Sequence, residues 1–280
     1  MKKLFMRAGL LSLAVSQPAF AADAPIAFEP SAPWAVDYRD NSCALSRVFI
    51  SEAGPIAFQI EAFDQGSNVN VRLVGSPIKD VGPSVEVRWR KDGPGHEMNF
   101  LFPTQSPDGI RGFFAMTSIW SAYLEGRKDD GPFKLDTIGD AEEIQFGGKL
   151  DPVVTLKTGP MAPALDALKK CTDDLVASWD LDPQVQRKLS RDAESKGISL
   201  TTPLVKASGH PAGVPSPIRV LIGENGRVTD CKILSDFLSQ KESERVCSQI
   251  KRQARFSPAL DEAGEPVATY HVEIGMKFRG

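Results

Sequence analysis

The chain has 280 residues, with 33 Lys and Arg against 36 Asp and Glu, a formal net charge of -3. So mild an acidic balance excludes bulk-charge attachment to nucleic acid or to anionic lipid. No internal repeat or low-complexity run is present, and the length favours two domains over one.

The first elements read as an export signal, residues 1-21. Lys2 and Lys3 form a charged start, Ala8 to Ser16 a short apolar core, and Ala19-Phe20-Ala21 a small-x-small cleavage site. Arg7 and Gln17-Pro18 bracket that core, which falls short of the roughly 20 apolar residues of a membrane span. Removing Lys2, Lys3 and Arg7 leaves 33 − 3 = 30 basic against 36 acidic residues, a net charge of -6. The mature chain is expected to be exported and soluble; the alternative is a membrane anchor, if the signal is retained.

Residues 22-180 read as a β-rich domain. Ile56, Phe58 and Ile60 alternate with polar or small residues, as do Val69, Val71 and Leu73, and Val85, Val87 and Trp89. Met98 to Phe102 and Gly112 to Met116 continue the series. Turns at Gly54-Pro55, Gly75-Ser76-Pro77, Gly82-Pro83 and Gly93-Pro94-Gly95 punctuate it. Short strands so spaced predict an antiparallel sheet or a sandwich. Trp34, Trp89, Phe113, Phe114, Trp120 and Tyr123 are candidates for its core or for a binding cleft. A closing helix starts at Pro163, with Leu165, Leu168, Cys171, Leu175 and Trp179 on one stripe. A polar helix over Pro183 to Lys196, ending at Gly197, is expected as a connector within 181-210. Ala207 to Pro217 has the composition of a linker.

The final domain, 211-280, is the most legible. Arg219 to Ile222 is a β-branched, apolar strand. Gly223-Glu224-Asn225-Gly226 contains Asn-Gly, the strongest short hairpin signal. Arg227 to Leu234 returns as a strand, with Cys231 and Ile233 on one face and Asp230 and Lys232 on the other. Lys241 to Gln253 is a helix whose Val246, Cys247, Ile250 and Ala254 form a stripe. Lys251, Arg252 and Arg255 suit its C-terminal dipole, and Pro258 stops it. After a turn at Glu262 to Glu265, the last strand alternates Tyr270, Val272, Ile274, Met276 and Phe278 with His271, Glu273, Gly275 and Lys277. The apolar set is expected to pack on the helix and the polar set to face water.

Four cysteines in an exported chain favour disulfides over metal. Cys231 and Cys247 lie on facing surfaces of a strand and its helix, and Cys43 with Cys171 follows by elimination. The first link closes a short loop, worth about 3 kcal/mol by chain entropy. The alternative is four reduced cysteines packed as small apolar groups.

Gly226-Arg227-Val228-Thr229-Asp230-Cys231, followed by Ala254-Arg255-Phe256-Ser257-Pro258-Ala259-Leu260-Asp261 and Gly264, resembles the C-terminal domain of the TonB family of energy transducers. The resemblance covers about the last quarter of the chain. It implies a small ββαβ unit that captures a segment of an outer-membrane receptor as an added β-strand, in energy-coupled transmembrane transport. A typical transducer also has an uncleaved membrane helix and a long Pro-rich spacer. Neither is recognised here.

No chemistry stands out. His96, His210 and His271 lack ligand partners at metal spacing. Ser208-Gly209-His210 reads as loop, and no nucleophile elbow or phosphate loop occurs. Asp129-Asp130, Glu142-Glu143 and Asp173-Asp174 read as solvated acidic pairs. The expectation is an α+β, non-enzymatic protein-binding module without metal or small-molecule cofactor and without a nucleic-acid partner. Its partner would be an outer-membrane receptor peptide or another envelope protein, taken along the edge strand Tyr270 to Phe278. The rival readings are a periplasmic enzyme with its site in the N-terminal domain, and a structural homodimer that consumes the edge.

Overall fold

The computed structural model describes residues 24–66, 68–91, 93, 95–98, 101–118, 138–139, 141–197, 199–207, 209–211, 215–235 and 237–277. The expected signal segment, Trp120, Tyr123, Asp129, Asp130, Ser208 and Phe278 lie outside them. The described chain is α+β, with strands predominating.

The N-terminal strands are β1 (Ile26–Pro30), β2 (Ala35–Tyr38), β3 (Cys43–Ser51), β4 (Gly54–Ala62), β5 (Asn68–Gly75), β6 (Asp80–Arg88), β7 (His96–Glu97), β8 (Leu101–Gln105), β9 (Arg111–Ser118), β10 (Glu143–Asp151) and β11 (Val154–Lys157). They form one continuous ladder, β7-β6-β10-β11-β1-β3-β4-β5-β9-β8, with β2 beside β3. β1 is the corner. Its residues 26–28 pair parallel with β11 and its residues 29–30 antiparallel with β3. The ladder thus folds back on itself. Phe146 of β10 meets Phe58 of β4 at 5.6 Å and Phe113 of β9 at 6.0 Å between ring centroids. All three are fully buried, so alternation in β4, β9 and β10 builds a core between two layers. Trp34 packs edge-on against Phe49 and Phe58 from one side. Phe114 points the other way and stacks on Phe102 at 4.7 Å.

Helix α1 (Ala162–Ala177) closes this unit. Leu165, Leu168, Cys171 and Leu175 are buried on its inner stripe, and Trp179 just beyond its end is buried too. Cys171 is bonded to Cys43 of β3 across 128 residues of sequence.

The connector differs from expectation. Only α2 (Pro183–Gln186), capped by Asp182, is helical. The following residues run extended: Arg191 bridges Leu260, and β12 (Glu194–Ser195) pairs with β15 (Phe256–Ser257). With no apolar stripe to bury, this polar stretch gains more from strand pairing than from helix. A short helix, α3 (Thr201–Val205), follows in a stretch with no helical signal. The Ala207 to Pro217 linker is not free either. Ala207 and His210 are buried, and Pro215 to Pro217 already belong to the central strand of the next unit.

The C-terminal unit comprises β13 (Pro215–Ile222), β14 (Val228–Ile233), α4 (Gln240–Gln253), β15, β16 (Ala259–Leu260), β17 (Pro266–Val267) and β18 (Thr269–Met276). Its main sheet has the order β14-β13-β18, antiparallel throughout. The β13–β14 turn is closed by Gly226 N–H donating to the Gly223 carbonyl at 2.8 Å. Gly226 has φ of 73°, and a Cβ there would lie 2.1 Å from the Phe256 carbonyl oxygen. Only glycine permits both the turn and that close approach. Ser239 caps α4 through the Glu242 N–H, and Cys247 of α4 is bonded to Cys231 of β14.

Candidate partner-binding edge

The backbone of β18 can be followed residue by residue. Pro217 has no N–H, and its carbonyl accepts from Leu234 N–H on the β14 side at 2.9 Å. Antiparallel ladders alternate, so Ser216, Ile218, Val220 and Ile222 turn their groups to β18, where they meet Gly275, Glu273, His271 and Thr269. Tyr270, Val272, Ile274 and Met276 therefore turn N–H and C=O away from the sheet. Among the described residues no backbone partner reaches them. Among the described residues the rim is unpaired, of the kind that templates another strand.

The side chains of β18 are arranged opposite to expectation. His271, Glu273 and Gly275 share the face of Ile218 and Val220, the face covered by α4 and α3. His271 lies against the Phe256 ring at 5.6 Å. Glu273 accepts from Ser199 Oγ at 2.6 Å and from Leu200 N–H at 3.3 Å. A Cβ on Gly275 would meet Thr201 at 2.9 Å and Leu204 at 3.1 Å, so glycine here lets α3 approach. Tyr270 and Leu221, on the other face, pack against the N-terminal core. On that apolar face Tyr270 and Leu221 are taken by the N-terminal unit rather than by the helix. Burial lowers the His271 pKa, opposed by Glu273 and Asp192.

A buried junction holds the rim to the N-terminal unit. Trp179 lies edge to face with Tyr270 at 5.2 Å, and the Arg219 guanidinium sits over the same indole at 4.5 Å. The β4–β5 loop arrives beside them. Gln65 N–H donates to the Tyr270 hydroxyl at 3.2 Å. Gln65 Nε2 donates to Asp173 Oδ1 at 2.6 Å, and Arg187 Nε donates to the same oxygen at 2.8 Å. Asp173 is thus an anchor for the connector, not a solvated acid. Glu143 likewise has a partner, Lys157. Burial pushes the Asp64 carboxyl up to about 6, despite the Gly66 N–H bond at 2.6 Å, and burial also raises the Tyr270 pKa. Gln186 donates to the Ala268 carbonyl at 2.9 Å and accepts from Thr269 Oγ1, stopping the open rim at its N-terminal end. This cluster joins residues far apart in sequence, and periodicity marks two of them, Trp179 on its helix stripe and Tyr270 on its strand.

The three described histidines are not brought together, and among the described residues no group of three or more His, Cys, Asp and Glu has metal-binding geometry. Nor, among those residues, is any helix long and apolar enough to cross a membrane. No family model matches the chain, and no curated protein matches it.

Proposed function

We propose that this is an exported, non-enzymatic binding module of the Gram-negative periplasm, with a TonB-like C-terminal unit. It accepts an extended segment of an outer-membrane receptor or another envelope protein as a fourth strand beside β18. One observation carries this reading: the outward backbone groups of Tyr270, Val272, Ile274 and Met276 have no partner among the described residues. Four residues offering paired donors and acceptors match the backbone of an extended guest, and backbone bonding supplies affinity in that mode. The motif run from Gly226 to Gly264 and the two disulfides support the same reading. In it, the N-terminal unit is a rigid mount that fixes the direction in which the rim faces.

The experiment is an NMR titration of the exported chain with peptides from periplasmic segments of outer-membrane receptors. Amide shifts centred on Tyr270 to Met276 are expected. Ile274→Pro removes one outward donor without touching the β13 ladder and is expected to abolish them, since proline is tolerated at a strand edge. Equal shifts in both proteins, or none in either, would overturn the proposal.

A further inference from the structure

The opposite rim of the same sheet carries a second, separate opportunity. On β14, Lys232 and Asp230 pair with Arg219 and Leu221. The Leu234 bond to Pro217 fixes the phase, so Cys231 and Ile233 turn N–H and C=O outward. Among the described residues no backbone partner reaches these groups either. Unlike β18, this rim has a wall. Helix α4 stands alongside, and Gln240, Ser243, Glu244 and Ser248 face Cys231 and Ile233 across a slot of about 320 Å³. The Cys231–Cys247 bond, with Cα atoms 5.4 Å apart, fixes the helix beside the rim.

The chemistry of the slot selects its occupant. Two outward backbone units in register call for an extended chain, which sits about 4.8 Å from the rim strand. The wall is polar, so no large apolar anchor is called for. Glu244 is engaged by Gln240 Nε2 at 2.9 Å, and Lys251 lies 3.5 Å from Asp230. Lys232 has no ion-pair partner among the described residues and stands at the lip with Lys251. A second copy of the chain would bring the same lysines to the same rim, and like charges across paired strands are unfavourable.

We infer that the slot between β14 and α4 binds an extended peptide segment bearing acidic side chains, by strand addition at Cys231 and Ile233, independently of the β18 rim. The test is fluorescence anisotropy of the exported chain with a labelled peptide of alternating Val and Glu, and with its Lys-for-Glu counterpart. The acidic peptide is expected to bind and the basic one to bind at least about tenfold more weakly. Ile233→Pro removes the outward donor at this rim, and Lys232→Glu reverses the lip charge with the backbone intact. Each is expected to weaken the acidic peptide about tenfold or more, while Ile274→Pro leaves it unchanged. No binding by wild type at about 1 mM peptide overturns the inference. So does loss through Ile274→Pro with Ile233→Pro unaffected, which moves the peptide to the other rim. A dimer in light scattering that Ile233→Pro dissociates overturns it as well, because the slot is then filled by a second copy.

Discussion

The indole of Trp179 meets the phenol ring of Tyr270 edge to face, with centroids 5.2 Å apart and planes at 73°. Trp179 follows the closing helix of the first unit, and Tyr270 is the first outward-facing residue of the open rim. The contact makes the position of the rim a property of the whole molecule. Truncating Trp179 to alanine is expected to cost about 3–5 kcal/mol, the usual range for a buried aromatic. Calorimetry is expected to resolve two transitions in the variant and one in wild type. A single transition shifted downward would mean the units are coupled elsewhere.

Tyr270→Phe keeps the ring and removes the hydroxyl that accepts from Gln65 N–H. A buried N–H left without its acceptor costs about 1–3 kcal/mol. Chemical denaturation is expected to show a loss in that range, with peptide binding at β18 retained, since the outward groups of residue 270 are backbone.

Asp64 sets a pH dependence. Its folded pKa, about 6, lies above the ordinary value of 3.8 because burial disfavours the carboxylate. Its stabilising effect is therefore full below about pH 4 and is lost as pH rises through 6. His271 acts in the opposite sense, because its pKa is lowered by burial. The difference between Asp64→Asn and wild type isolates the carboxyl. The asparagine variant is expected to gain stability relative to wild type between pH 4 and pH 7, by on the order of 1–3 kcal/mol. Urea midpoints measured across that range check the sign, and a flat difference would contradict it.

Two glycines separate a turn's demand for left-handed backbone from steric fit. Gly226 and Gly264 have φ of 73° and 82°. A Cβ on Gly226 meets the Phe256 carbonyl, whereas nothing lies within 4 Å of one on Gly264. Gly264→Ala is expected to cost about 1 kcal/mol and Gly226→Ala at least about twice that. Equal losses in thermal denaturation would remove the role given to the close approach.

The C-terminal unit was legible because its signals are local. Asn225-Gly226 marks the turn, Val246, Cys247 and Ile250 the helix stripe, and one-in-two alternation the last strand. What that alternation could not say was which covering layer each face would meet. Tyr270, Val272 and Ile274 look like a face for the helix, yet Trp179, just beyond the closing helix of the other unit, is the partner of Tyr270. Strand β10 gives no such signal, because Gly147-Gly148 interrupts its alternation. Asp173-Asp174 reads as a solvated acidic pair in the sequence, because a partner such as Gln65, 108 residues away, leaves no local signal. The pairing of Cys43 with Cys171 emerged by elimination, since facing elements had already claimed the other two.

The disulfides should differ in weight. Cys231–Cys247 spans 16 residues and Cys43–Cys171 spans 128. On chain entropy they contribute about 3 and about 5 kcal/mol. Paired Cys→Ser substitutions, compared by urea denaturation, are expected to rank in that order.

Amide hydrogen exchange along residues 270–276 of the free exported chain probes the open rim directly. Val272 and Ile274 are expected to exchange much faster than His271 and Glu273, whose amides bond to β13. Slow exchange at all four positions would mean that the rim is already paired, leaving no place for a guest strand.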